Sequence, residues 1–285
     1  MKILVIGAHG MLGRELVNRL SSLSEIKNQG NKIFGVDREH VDITNGANTS
    51  KFIAHVKPDV IVNCAAFSNV DACETQIPEA FAVNATGAKN VALAGEKTGA
   101  KVIHISTDYV FDGTRNKPYT ETDKPNPISI YGKSKLDGEL AIQETSGNYA
   151  IIRTAWLFGP YRENFVTTML QLGRKNHTVS VVTDQCGSPT YTADLSYAIQ
   201  NIMQLDFQGL YHVTNSGNCS RFEWARKIFE LTGNRVSVIP LKTSDYKRVA
   251  SVPQNSSLNC TKYTKATGQS MRPWQEALED YLDTM

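Results

Sequence analysis

Tyr131 and Lys135 stand four residues apart in Tyr131-Gly132-Lys133-Ser134-Lys135, the spacing that puts two side chains on one face of a helix, one turn apart. A free phenol titrates near pH ~10 and is a sluggish acid–base group at neutrality. A lysine ammonium beside it favours the phenolate and is expected to lower that value, bringing proton transfer into useful range. Of the 11 tyrosines in the chain, Tyr131 alone has a lysine four residues later, which weakens the bland alternative of a chance surface pair. Thr107, 24 residues before Tyr131 in the run Ser106-Thr107-Asp108-Tyr109-Val110-Phe111-Asp112-Gly113, offers a hydroxyl to the same oxygen. Thr107, Tyr131 and Lys135 are therefore the candidate catalytic residues for chemistry at a carbonyl. The tyrosine would donate the proton, the threonine polarise, and the lysine assist while also bonding a nicotinamide ribose.

A second constellation lies at the start of the chain. Gly7-Ala8-His9-Gly10-Met11-Leu12-Gly13 directly follows an apolar run, Ile3-Leu4-Val5-Ile6, and opens a helical pattern. Three glycines spaced three apart at such a turn let the backbone pass close to a diphosphate, and the first helical N–H groups face that anion. The spacing differs from the common G-x-G-x-x-G and is the variant of short-chain dehydrogenases. Gly7, Gly10, Met11, Leu12 and Gly13 are thus candidate cofactor-binding residues, and Tyr131 and Lys135 are candidates at the cofactor's reacting end. A tight turn alone would explain the glycines, but not their place straight after a buried strand.

Past the second strand, Asp37 would bind the ribose hydroxyls of NADH, whereas Arg38 would hold the extra phosphate of NADPH. The two signals conflict; NADPH is the favoured cofactor, with NADH admitted. Asp42-Ile43 is a candidate for the adenine side, and Asp42 reads equally well as the N-cap of the next helix. Asn63-Cys64-Ala65-Ala66 ends the third strand in small residues, so Ala65, Ala66 and the adjoining Phe67 are where a cofactor could cross the sheet edge.

The elements that must position these groups follow from periodicity. Ile3–Ile6, Lys32–Val36, Val60–Asn63, Val102–Ser106 and Ala150–Arg153 read as buried strands. Between them Leu12, Leu16, Val17 and Leu20 recur at helical spacing, as do Ala80, Val83, Asn84, Ala88 and Val91. Such alternation predicts an α/β fold with a Rossmann-type, doubly wound parallel sheet whose ligands sit at the carboxyl edge. Val179–Val182 and Leu210–Val213 suggest further strands, and Arg221–Leu231 and Trp274–Leu282 amphipathic helices. With no clean linker, the expected division is a nucleotide-binding domain over 1–155, to which elements around 179–208 return, and a smaller C-terminal α/β substrate lobe over 156–285.

Composition excludes more than it assigns. The chain has 285 residues, 41% hydrophobic and 20% charged, with net charge +2, and its cations are scattered; this gives no case for nucleic acid. No apolar stretch approaches the length needed to span a bilayer, and the apolar run after Lys2 is too short for a signal peptide. Five cysteines, never in a C-x-x-C pair, suit a reducing compartment and a cytoplasmic location. The six histidines show no ligand spacing, so no catalytic metal is expected.

Together these residues resemble the dTDP-4-dehydrorhamnose reductase family of the extended short-chain dehydrogenases. The likeness runs through Arg38 to Thr44, Pro58–Asn63, Val70–Glu74, Arg153–Phe158, Asp184-Gln185-Cys186-Gly187-Ser188-Pro189-Thr190 and Gly209–His212; the Ser106–Gly113 and Asp184–Thr190 segments are the most family-specific. The resemblance implies reduction of the 4-keto group of a dTDP-linked 6-deoxyhexose. Carried over by position, Thr107, Tyr131 and Lys135 would be catalytic, and Ser68, Val70, Thr107, Asp108, Tyr109 and Trp156 would line the sugar pocket. Trp156 reads alternatively as a core aromatic, given Leu157 and Phe158. Sugar dehydratases of this superfamily set two acidic residues after the threonine; here Tyr109 takes the second place, which favours reduction over elimination. Two departures stand out: Val252-Pro253 precedes Asn255-Ser256-Ser257-Leu258 where the family has Arg-Pro, and Cys73 replaces a basic or polar residue.

Some relatives dimerise, around magnesium in certain cases, so a homodimer is compatible with the resemblance. Two alternatives stay open from sequence: a reductase of another nucleotide-linked ketosugar, since substrate choice lives in loops, and a non-catalytic regulatory subunit of methionine adenosyltransferase, which shares fold and motifs.

Overall fold

The computed structural model describes residues 1–26, 30–204, 208–245 and 247–285. In chain order come β1 (Lys2–Ile6), α1 (Met11–Ile26), β2 (Lys32–Val36), α2 (Gly46–Val56), β3 (Val60–Asn63), α3 (Val70–Thr75), α4 (Ile77–Phe81), α5 (Ala88–Thr98), β4 (Lys101–Thr107), α6 (Ile130–Thr145) and β5 (Tyr149–Thr154). They are followed by β6 (Leu157–Phe158), α7 (Phe165–Lys175), β7 (Thr178–Val182), β8 (Cys186–Gly187), β9 (Thr190–Tyr191), α8 (Thr192–Gln204), β10 (Gly209–His212), β11 (Cys219–Ser220), α9 (Arg221–Leu231), β12 (Ser237–Leu241), α10 (Thr261–Thr267) and α11 (Trp274–Asp283).

The main sheet has the order β10-β5-β4-β3-β1-β2, every neighbouring pair parallel. A parallel sheet with helical crossovers is covered on both faces, which is why its strands read as unbroken apolar runs. The two-residue period of a strand divides β1 between two cores. Ile3 and Val5 join Leu12, Leu16 and Leu20 of α1 and Leu195 and Ile199 of α8; Leu4 and Ile6 meet Ile53 of α2 and Val91 and Ala94 of α5 on the other face. After β2 the chain crosses back over β1 to lay down β3, so the strand order reverses there. At such a reversal the connections leave in opposite directions and a crevice opens at the carboxyl ends of the strands.

The later elements build a second layer. β7 pairs with β12, β8 with β11 and β6 with β9, around Phe158, Tyr191, Trp224, Phe229, Trp274 and Tyr281. Of the 179–208 span, α8 lies against α1 on the main sheet, while β7 at its beginning belongs to this second layer; positions 205–207 lie outside the described residues. β10 then extends the main sheet beside β5. Among the described residues no helix is long and apolar enough to cross a membrane.

One local expectation is corrected. The helical pattern from Ala80 to Val91 is not one α-helix: α4 passes into a π-helical stretch, Ala82–Gly87, before α5 begins. The wider turn accommodates an extra residue and buries Asn84, a feature that often marks functional sites.

Candidate active site

The carboxyl ends of β1, β3, β4 and β5 open into one cleft of about 790 Å³. Thr107 is the last residue of β4, and its hydroxyl accepts from the Tyr109 N–H at 3.2 Å and donates to Asp108 Oδ1 at 3.0 Å. Tyr131 sits in the first turn of α6, whose N-cap is Ser129, with Oγ accepting from the Gly132 N–H. The Tyr131 ring meets Tyr109 edge-on, centroids 5.6 Å apart, and its phenol shares a hydrogen bond with Thr107. A glycine must follow Tyr131, because a Cβ on Gly132 would stand 2.1 Å from the Tyr109 carbonyl oxygen.

One turn on, Lys135 Nζ donates to the Ile105 carbonyl at 2.7 Å and lies 3.2 Å from His104 Nε2. Glu139, another turn along the same face, accepts from Arg153 through two bonds of 2.9 and 2.6 Å and from Ser106 at 2.5 Å. Burial pushes the Lys135 ammonium down to about 8, opposed by the Glu139 carboxylate.

The lowered tyrosine pKa expected from the Tyr131–Lys135 spacing is not what the structure has. Burial raises the Tyr131 phenol above its ordinary value; Thr107 opposes this, and the negative charge of Asp108 adds to it. Helical spacing put the pair one turn apart on α6, but the Lys135 ammonium turns to the Ile105 carbonyl, and desolvation dominates at Tyr131. The consequence is a phenol that keeps its proton at neutral pH, the form an acid needs.

Asp108 is 2% exposed, accepts from Ser256 Oγ at 2.5 Å, and is pushed up to about 6 by burial, against the hydrogen bonds of Ser256 and Thr107 and the charge of Arg221. A carboxyl that titrates near 6 when folded, and near ~4 when unfolded, binds its proton more tightly in the native state. Its ionisation therefore costs stability above about pH 6, and that cost vanishes as pH falls through the interval. Asp108→Asn, neutral throughout, is expected to exceed the parent in stability at about pH 8 by up to roughly 3 kcal/mol, with the advantage gone near about pH 4. Thermal melts across that range check this; an advantage that stays constant with pH would assign the effect to something other than the charge.

The cofactor candidates Gly7, Gly10, Met11, Leu12, Gly13, Asp37, Arg38, Asp42, Ile43, Ala65, Ala66 and Phe67 all border the cleft. Gly7 has φ +82°, and a Cβ there would lie 2.7 Å from the Ala65 nitrogen, so the turn after β1 is packed against the end of β3. This open cradle, with α1 beginning at Met11, fits a dinucleotide diphosphate. Asp37 accepts from the His9 N–H at 2.8 Å and faces His9 Nδ1 at 3.1 Å, whereas the Arg38 side chain is 84% exposed and pairs with Asp42 at 3.4 Å. The N-cap reading of Asp42 is overturned: Asn45 caps α2, its side chain accepting from the Asn48 N–H. Asp42 instead accepts from the Thr44 N–H and hydroxyl at 3.0 and 2.7 Å, which hold it below the usual carboxylate range.

Sequence reasoning passed over Asn84. Its Oδ1 accepts from the Phe67 N–H at 2.8 Å, and its Nδ2 donates to the Phe67 carbonyl at 3.1 Å and to Ser134 Oγ at 3.0 Å. The π-helical turn thus ties the cofactor-side loop to the helix bearing Tyr131. Its only signal was a polar residue inside an apolar helical pattern.

Ser68, Val70, Asp108, Tyr109 and Trp156 border the rest of the cleft. Comparison with known proteins agrees with this geometry. The family described as "RmlD substrate binding domain" matches residues 1–285. The spore coat polysaccharide biosynthesis protein SpsK of Bacillus subtilis is 40% identical over 99% of this chain and 96% of its own. A crystal structure of a dTDP-4-dehydrorhamnose reductase from Clostridium acetobutylicum superposes with TM-score 0.94 at 41% identity, covering 100% of this chain and 99% of that one. The chain belongs to the dTDP-4-dehydrorhamnose reductase family. Another such reductase, from Bacillus anthracis and solved in complex with NADP, has TM-score 0.94 at 39% identity, covering 100% and 99%.

The reductase-family segment Asp184–Thr190 now has a physical reason. A Cβ on Gly187 would come within 2.4 Å of the Trp156 indole, so a glycine there is what lets the ring lie down. Trp156 itself has φ +47°, a strained backbone for a bulky residue. The ring stacks on Trp224 at 5.6 Å and 16°, so the core-aromatic reading describes one contact and the cleft another. Asp184 accepts from the Thr243 N–H and hydroxyl, anchoring the loop after β12. The family departure at Val252 precedes the segment whose Ser256 reaches Asp108. Arg221 and Arg248, which also border the cleft, went unnoticed in the sequence because neither lies in a recognisable motif.

Proposed function

We propose that this chain reduces the 4-keto group of dTDP-4-dehydro-L-rhamnose to give dTDP-L-rhamnose, in the cytoplasm, with NADPH preferred and NADH admitted. The observation that carries this is the convergence of Thr107, Tyr131 and Lys135 at the end of β4, in the same cleft as the glycine turn after β1. Residues 1–155 hold the cofactor and most of 156–285 the nucleotide sugar.

Gly7–Gly13 and Ala65–Phe67 would hold a nicotinamide dinucleotide, which would supply the hydride. Tyr131, kept neutral by burial, gives its proton to the sugar oxygen as negative charge develops there. Thr107 offers that oxygen a second hydroxyl. Lys135, its stem buried and its head anchored by the Ile105 carbonyl, places a cation behind Tyr131 that favours the phenolate left by proton transfer. Elimination of water would need a second acidic group beside Asp108, and Tyr109 occupies that position. Arg38, exposed at the mouth and held only by an ion pair to Asp42, can turn to a 2′-phosphate, while His9 occupies Asp37; this is the basis for preferring NADPH.

The test is oxidation of NADPH and of NADH, followed by loss of nicotinamide absorbance, with dTDP-4-keto-6-deoxyglucose as substrate in the presence and absence of a 3,5-epimerase. Oxidation that requires the epimerase, faster with NADPH, is the expected result. Oxidation of neither cofactor by a protein that binds one would overturn the assignment.

A further inference from the structure

The loop between β6 and α7 is a strap that ties the second layer to the start of α1. Tyr161, in this loop, has φ +79°, a left-handed backbone that costs a bulky residue energy and persists only where the surroundings impose it. Those surroundings are α1. The Tyr161 hydroxyl accepts from Asn18 Nδ2 at 2.9 Å, and the Arg14 guanidinium lies 4.7 Å from the Tyr161 ring centroid. Asn164, the N-cap of α7, secures the other end of the strap. Its Nδ2 donates to the Gly159 and Arg162 carbonyls at 2.8 and 3.2 Å and reaches Met11 Sδ at 4.0 Å.

Arg162, which borders the cleft, is thereby held against the glycine turn. Its Nε and Nη2 share one acceptor, the His9 carbonyl, at 3.4 and 3.3 Å. Both bonds are long, and among the described residues they are the only hydrogen bonds of that guanidinium. The carboxylates nearby are otherwise engaged: Asp37 accepts from the His9 N–H and faces the His9 ring, and the adjoining Glu163 accepts from Gln171 at 3.4 Å. Among the described residues none of them forms an ion pair with Arg162. A planar fork resting on a single neutral oxygen is a better match for the several charged oxygens of a phosphate group. The turn it rests on is the one whose backbone N–H groups face an anion at the start of α1. Arg38, the candidate for a 2′-phosphate, stands elsewhere, paired with Asp42 after β2.

We propose that Arg162 closes the dinucleotide site by binding the cofactor's diphosphate, exchanging the His9 carbonyl for phosphate oxygens. The role rests on the dinucleotide cofactor and not on which sugar is reduced.

Fluorescence titration of the full chain with NADPH and with NADH, and competition by ADP-ribose, tests this. ADP-ribose keeps the diphosphate and lacks both the nicotinamide and the 2′-phosphate. Arg162→Gln should weaken all three by a similar factor, about five- to tenfold. Arg162→Lys, which keeps the charge but loses the fork, should fall between. Arg162 is exposed, so the thermal melt of both variants should match the parent. A loss confined to NADPH would move Arg162 to the 2′-phosphate, and a loss that spares ADP-ribose would move it to the nicotinamide end; either overturns the proposal. Unchanged affinity for all three overturns it as well, as does a loss accompanied by a lowered melting temperature, which would belong to the packing of the strap. Parent protein that binds none of the three refutes the dinucleotide site itself, and the role of Arg162 with it.

Discussion

Tyr131→Phe is expected to lower kcat by at least about 100-fold, the usual scale for losing a positioned general acid, and to leave NADPH affinity intact. The substitution removes one oxygen. The ring keeps its edge contact with Tyr109, and Lys135 keeps its bonds to Ile105 and His104, which do not involve the phenol. What disappears is the proton held beside Thr107. Steady-state turnover, read together with a fluorescence titration of NADPH, separates the chemical step from binding. A variant that turns over near the parent rate would remove Tyr131 from the proton-donor role, whatever happens to its affinity for cofactor.

Gly13→Ala should abolish most cofactor binding by adding a single methyl group. The new Cβ would stand 2.1 Å from the Gly7 carbonyl oxygen, 2.8 Å from its carbon and 3.0 Å from Ala8 Cα. All three are backbone atoms, so no side chain can step aside. The turn cannot retreat either, because Gly7 is pressed against Ala65 on its other side. The turn must therefore open, at a stability cost of about 1–3 kcal/mol typical of overpacking, and NADPH affinity should fall by well over about tenfold as the backbone N–H groups lose their aim. Gly10→Ala is the control. Its Cβ meets only the Gly7 oxygen, at 3.1 Å, and the effect should be much milder. If calorimetry finds the two variants equally tolerated, the close-packed turn is not the diphosphate cradle.

The division between what sequence determined and what the tertiary structure decided follows the range of the forces involved. Period-two and period-3.6 apolar patterns, with glycines at a strand-to-helix turn, are local and steric. They were enough for the parallel sheet, for its carboxyl-edge cleft, and for placing Tyr131 and Lys135 one turn apart on α6. Even at short range a competing partner can win: Asn45 rather than Asp42 caps α2, because Thr44 offers Asp42 two donors. The π-helical turn that buries Asn84 depends on Phe67 and Ser134, 17 and 50 residues away, so the apolar pattern alone read as a plain helix. Charge behaved in the same way. From spacing alone Lys135 should lower the Tyr131 pKa, yet burial between two layers of the fold raises it, since the desolvation of a group is set by everything packed around it. Arg221 and Arg248 carry no motif at all. They border the cleft only because α9 and the loop after β12 fold over an edge that the first half of the chain had already built. Local sequence determined which groups could do chemistry, and burial and long-range packing decided which protonation state each would hold and what would face it.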